Sequence, residues 1–148
     1  MEASMYKRIL LAYDGSDEGH KALFECGDLA VLLNAKVDLL AVIPSYAGIM
    51  VAEGMIIEDN YDQERQRYQA VLEEGLSSLR SRGYSVEGQV AHGEPVDEIC
   101  ARAKELKADL ICVGHRHANT WAQRWWRGSL GKNLIDHAPC SVLIAMAP

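Results

Sequence analysis

The chain has 148 residues, 49% of them hydrophobic, and a net charge of -6, a size that suits one ordinary domain able to bury roughly two thirds of its unfolded surface. The acidic balance argues against a general nucleic-acid binder, whose phosphate contacts need a broad basic face. With no apolar run of about 18 residues, no membrane span is expected.

The start, MEASMYKRILLAYDGS, sets charge, a short apolar run and a turn signal in succession, with no small-residue cleavage site behind a hydrophobic stretch. A cytoplasmic location is therefore expected. RILLAY (residues 8–13) reads as a buried first strand, stopped by DGSDE, where Ser16 or Asp17 suits a helix N-cap. In the helix that follows, Leu23, Cys26 or Gly27, Ala30 and Leu33 recur on one face. KVDLLAVI (36–43) is the second strand, ended by Pro44. Residues 45–60 hold Gly48, Gly54 and apolar residues in no clean period, and read as loop. A longer helix is predicted over 61–81, with Tyr68, Val71, Leu72, Gly75, Leu76 and Leu79 inward and Gly83 as its stop.

YSVEGQVA (84–91) alternates like a strand near a sheet edge. Pro95 opens the next helix, which turns Val96, Ile99, Cys100, Ala103 and Leu106 inward. DLICVG (109–114) is continuously apolar, as a central strand is, and SVLIAM (141–146) is a last strand at the sheet's edge. Between them, residues 129–137 form a short helix with Leu130, Leu134 and Ile135 as its apolar positions. Five strands alternating with four helices make one α/β domain over residues 1–148, a parallel sheet covered on both faces. Cys26, Cys100, Cys112 and Cys140 are widely spaced with no C-x-x-C and no close pairing, so neither disulfides nor a zinc knuckle is expected.

In a doubly wound sheet of order 3-2-1-4-5, ligands sit beyond the carboxyl ends of the strands, between strands one and four. The loop after strand one is DGS; the loop after strand four is GHRHANTWAQRWWRGS. From His115 through Ile135 the chain carries Arg116, Arg124, Arg127 and Lys132 and no carboxylate. Gly128 and Ser129 precede a helix, whose leading N–H groups and dipole suit a phosphate, and the arginines add positive charge. Gly-Ser before a helix is equally an ordinary N-terminal cap. Asp14 can accept from ribose hydroxyls or adenine, with the Val42 backbone at the adenine edge; Asp14-Gly15 can also be a turn that caps the first helix.

His115 and His117 could converge on a metal, but no third ligand is evident nearby. Trp121, Trp125 and Trp126 fit packing or a subunit contact better than base stacking. Walker A, G-x-G-x-x-G and G-x-S-x-G patterns are all missing, so no catalytic residue is assigned, and any ATP hydrolysis would be slow and incidental.

Taken in order, ILLAYDGS, AVIP, GEPVDEI, ADLICVG and GSLGKNLIDHAPCSVLIA resemble the universal stress protein family over essentially the whole chain. The resemblance implies a Rossmann-like or flavodoxin-like fold (adenine nucleotide alpha hydrolase-like), a homodimer through the last strand, and a stress-response role with an unidentified protein partner. It also implies ATP, with Mg2+ as its companion ion, on a loop of the form G-x2-G-x9-G-(S/T). By family position Asp14 and Val42 would hold the nucleoside and Gly114, Gly128 and Ser129 the phosphates; Arg116 and Arg127 extend that set on charge alone. The loop departs from the pattern, with His117 at the second glycine and ten residues (118–127) before Gly128. The competing reading is a dimeric interaction protein of the same family whose pocket is empty or takes another anion.

Overall fold

A computed structural model describes residues 5–44, 58–116 and 134–147. Five strands, β1 (Arg8–Ala12), β2 (Lys36–Pro44), β3 (Val86–Gly93), β4 (Leu110–Arg116) and β5 (Ser141–Ala147), form one sheet in the order β3-β2-β1-β4-β5. Every neighbouring pair is parallel. The helices among the described residues are α1 (Asp17–Leu33), α2 (Glu58–Ser81), α3 (Pro95–Leu106) and α4 (Leu134–His137).

Alternation along β1 explains the layering. Successive side chains of a strand point to opposite faces, so Ile9, Leu11 and Tyr13 pack with α1 and α2, whereas Leu10 and Ala12 pack with α3 and α4. Each fully buried Leu or Ile contributes about 1.5–3 kcal/mol relative to exposure. The helical faces follow the three-and-four spacing: Leu23, Cys26, Gly27 and Ala30 are buried on α1, and Val96, Ile99, Cys100 and Ala103 on α3. On α2 the buried apolar side chains are Tyr68, Leu72, Leu76 and Leu79. Pro95 occupies the first turn of α3, where a missing N–H costs nothing.

Several expectations shift. Tyr13 falls just past β1, α2 begins at Glu58 rather than residue 61, and β3 begins at Val86 and runs on to Gly93. Leu33, Val71 and Leu106 are only partly buried, because each lies at the margin of its helix's inner stripe. Leu134 is fully buried while Ile135, one step round the helix, is 58% exposed. The cysteines are free, yet Cys26 on α1 and Cys112 on β4 meet thiol to thiol in the core despite their distance in sequence; that hydrogen bond, together with burial, pushes the Cys26 thiol well up.

The amino edge of the sheet is tied by carboxylates. Asp109 accepts from the backbone N–H of Lys7 and Arg8 at 3.0 Å. Asp38, its side chain only 4% exposed, accepts from Arg8 Nε at 2.9 Å. At the far edge β5 pairs, among the described residues, only with β4, and its Val142, Leu143 and Ile144 remain partly exposed.

Candidate functional site

The chain passes from β1 to β2 and β3 on one side and returns through α3 to β4 on the other, which places the carboxyl ends of β1 and β4 next to each other. That is where a doubly wound sheet opens a crevice. Asp14 follows β1 there. Asp14 and Val42 lie equally far beyond Ala12 and Leu40, which are paired in the β1–β2 register. Gly114 lies toward the end of β4, opposite Ala145 of β5.

The DGS turn is built locally. Gly15 has φ +82°, a left-handed conformation that costs glycine little, and the chain there runs against the Val71 side chain of α2. Asp14 Oδ1 accepts from the Ser16 N–H at 3.0 Å and from the Ser16 hydroxyl at 2.5 Å. The Ser16 hydroxyl in turn accepts from the Gly19 N–H at 3.0 Å, making Ser16 the N-cap of α1. Of the two readings raised for Asp14-Gly15 the structure shows the turn, with Ser16 as the cap of α1: Oδ1 serves the turn, and Oδ2 takes part in neither bond.

Gly19 brings the two loops together. A Cβ on Gly19 would stand 2.9 Å from Asp14 Oδ1, and a Cβ on Gly114 would stand 3.0 Å from Gly19 N and 2.5 Å from the Glu18 carbonyl carbon, colliding with the Glu18 carbonyl oxygen. So Asp14 and Gly114 both press on the first turn of α1. Glycine at 114 has a packing reason, the close passage of β4 under that turn, in addition to any ligand reason.

Around the turn sits a polar cluster that sequence reasoning missed. Tyr13, buried at the end of β1, has its hydroxyl 2.8 Å from His20 Nε2 and donates to Glu74 Oε1 at 3.4 Å. His20 Nε2 is 2.8 Å from the same Glu74 oxygen, and His20 Nδ1 is 3.0 Å from the Ser16 carbonyl oxygen. Burial pushes the Tyr13 hydroxyl far above the ordinary tyrosine range, with the Glu74 charge adding to the rise. His20 stands four residues after the N-cap, a spacing legible in sequence; nothing in the sequence aligns Glu74 of α2 with it.

Arg116 ends β4 opposite Ala147, and its side chain lies outside the described residues, as do Arg127, Gly128, Ser129, His117 and the three tryptophans. Among the described residues no three His, Cys, Asp or Glu side chains form a group able to hold a metal, and no helix is long and apolar enough to cross a membrane. A groove of about 550 Å³ lies elsewhere, between α2 and β3, lined by Arg65, Gln69, Glu73 and His92 among others.

A five-stranded parallel sheet of order 3-2-1-4-5 with an acid just past its first strand defines a Rossmann-like α/β fold. The family model described as the universal stress protein family matches residues 5–145, and the chain belongs to that family. Universal stress protein YxiE of Bacillus subtilis (strain 168) is 29% identical over 147 residues, covering 95% of this chain and 99% of its own length. A crystal structure of a universal stress protein family member from Burkholderia pseudomallei superposes with a TM-score of 0.72 at 24% identity, over 97% of this chain and 98% of its own. A universal stress protein solved in complex with cAMP is 27% identical, with a TM-score of 0.68 over 97% of this chain and 98% of its own.

Proposed function

We propose that this protein is a stress-response module that binds an adenine nucleotide, ATP in the first instance, at the switch point between β1 and β4. The observation that carries the reading is the Asp14 carboxylate: one oxygen is fixed by Ser16, the other is left for a ligand, and Gly114 of the facing strand meets the same helical turn. A relative of 27% identity was solved with cAMP, a ligand that shares the adenosine moiety. In this reading Asp14 takes a ribose hydroxyl, the Val42 backbone faces adenine, and Gly114, Gly128 and Ser129 approach the phosphates. Arg116 and Arg127 supply side-chain charge where His117 replaces a glycine. Mg2+ would come with the polyphosphate, held by the phosphate oxygens. No catalytic residue is assigned, and the output is a changed loop surface read by a protein partner in the cytoplasm.

The competing reading, an interaction module whose pocket takes no ATP, is favoured by Gly114, since packing against Glu18 accounts for that glycine without a phosphate. Equilibrium dialysis with labelled ATP separates the two: saturable binding supports the sensor, and no binding at millimolar ATP leaves the interaction module.

A homodimer through β5 belongs to the same proposal. On its outer side β5 pairs with no strand among the described residues and shows the partly exposed Leu143 and Ile144, and pairing with a two-fold mate would cover that edge. Light scattering on the purified chain checks it, with a dimer mass expected.

A further inference from the structure

We propose that His20 is a positioning residue for the ligand carboxylate Asp14, gripping the Ser16 turn from the side of α2 and thereby fixing which Asp14 oxygen is offered. The proposal rests on the nucleotide reading of Asp14 but has its own geometry. His20 Nδ1 lies 3.0 Å from the Ser16 carbonyl oxygen, an acceptor, so Nδ1 carries a hydrogen. His20 Nε2 lies 2.8 Å from Glu74 Oε1 and 2.8 Å from the Tyr13 hydroxyl. Tyr13 completes a triangle, its hydroxyl lying 3.4 Å from Glu74 Oε1.

The consequence runs in one direction along the chain of bonds. Glu74 anchors the ring to α2, the ring holds the N-cap carbonyl of Ser16, and Ser16 through its N–H and hydroxyl holds Asp14 Oδ1. Polar groups facing the ring are Tyr13 just past β1, Glu74 from α2 and the Ser16 carbonyl from the N-cap of its own helix, with the Phe24 ring 6.5 Å away. Asp14 Oδ1, used twice by Ser16, is withdrawn from ligand contact, so a ligand hydroxyl meets Oδ2 in a fixed orientation. A carboxylate held before binding loses less freedom on binding, which is how a residue outside the contact raises affinity.

The test uses Glu74→Gln and His20→Ala in the full chain, with ATP affinity measured by titration calorimetry and amide hydrogen exchange read at Ser16 and Gly19. The Glu74 side chain is 53% exposed, so Glu74→Gln leaves the core untouched. Both variants are expected to weaken ATP about 3–10-fold and to speed exchange at Ser16 about 5-fold, the size of one lost charge-assisted hydrogen bond felt indirectly. The ring 15N spectrum of the wild type should show the His20 proton on Nδ1, directed at the Ser16 carbonyl. Unchanged exchange and unchanged affinity in both variants overturn the role of His20 while leaving the nucleotide reading intact. Should the wild type bind no ATP, the nucleotide reading fails, and the exchange and 15N arms still decide whether His20 holds the turn.

Discussion

The two ends of the sheet use aspartate differently. At the amino edge Asp109 engages both oxygens on the backbone of Lys7 and Arg8, and Asp38 engages both on the Arg8 guanidinium, Oδ2 at 2.9 Å and Oδ1 at 3.5 Å. At the carboxyl edge Asp14 directs two bonds onto one oxygen. Carboxylates at the amino edge close the fold; the one at the carboxyl edge closes a turn and keeps an acceptor in reserve. In the proposed reading, similar residues in one sheet divide into stability and binding by whether the chain's own donors occupy both carboxylate oxygens or only one.

The contact shared by both functions breaks first. Gly114→Val should be the most damaging substitution, because its Cβ would run into the Glu18 carbonyl, which is helix backbone and cannot swing aside. Overpacking of this kind costs about 3 kcal/mol, to be read as a lower urea midpoint, with nucleotide affinity lost alongside. Asp38→Ala sharpens the contrast from the other end. It leaves Arg8 without its partner, but Arg8 is 32% exposed and can turn to water, so about 2 kcal/mol of stability should go, at the low side of breaking a buried pair. ATP affinity should be unaltered; a loss of affinity without a loss of stability would erase the division between the two edges.

Much of this was legible in sequence because it follows from periodicity. Continuous apolar strands and three-and-four helical faces give the order of elements, and the acid after RILLAY marks the switch point. Legibility ends where partners come from separate elements. Gly19, in the first turn of a helix, reads as a weak helix residue; only the close approach of Asp14, Ser16 and Tyr13 from the turn after β1 explains it. Glu74 is one acid among several on α2, and its pairing with His20 depends on how α2 lies across α1. Cys26 and Cys112 meet for the same reason, since α1 runs back over β4. Residues 117–133, on which the phosphate side of the reading depends, lie outside the described residues.

Asp14→Asn addresses the carboxyl edge directly. An amide oxygen still accepts from Ser16, so the turn should survive with stability within about 0.5 kcal/mol of wild type. The other end of the amide is a donor where the ligand hydroxyl needs an acceptor, and ATP affinity should fall about 10-fold, or about 1.4 kcal/mol. Calorimetry and urea unfolding on the same sample read both quantities. A variant that binds as well as wild type would mean that the reserved oxygen is not the ligand's acceptor.

The smallest effect concerns Tyr13, whose hydroxyl is raised by burial first and by Glu74 second. In the unfolded chain a tyrosine loses its proton near pH 10, whereas in the folded chain Tyr13 keeps it beyond that. Between those two values the unfolded state binds fewer protons than the folded one, and the sign follows: the contribution is complete below about pH 10 and is lost as pH rises toward the folded value. Tyr13→Phe removes the hydroxyl and its bonds to His20 and Glu74, at a cost of about 1 kcal/mol at neutral pH. The variant has no proton to lose at that position, so its stability should decline less steeply than wild type above about pH 10. Cys26, also raised, titrates in both proteins and cancels in the difference. Parallel alkaline slopes for the two proteins would show that the Tyr13 hydroxyl is not confined by α2, and the anchor of the Asp14 turn would have to be sought on α1 alone.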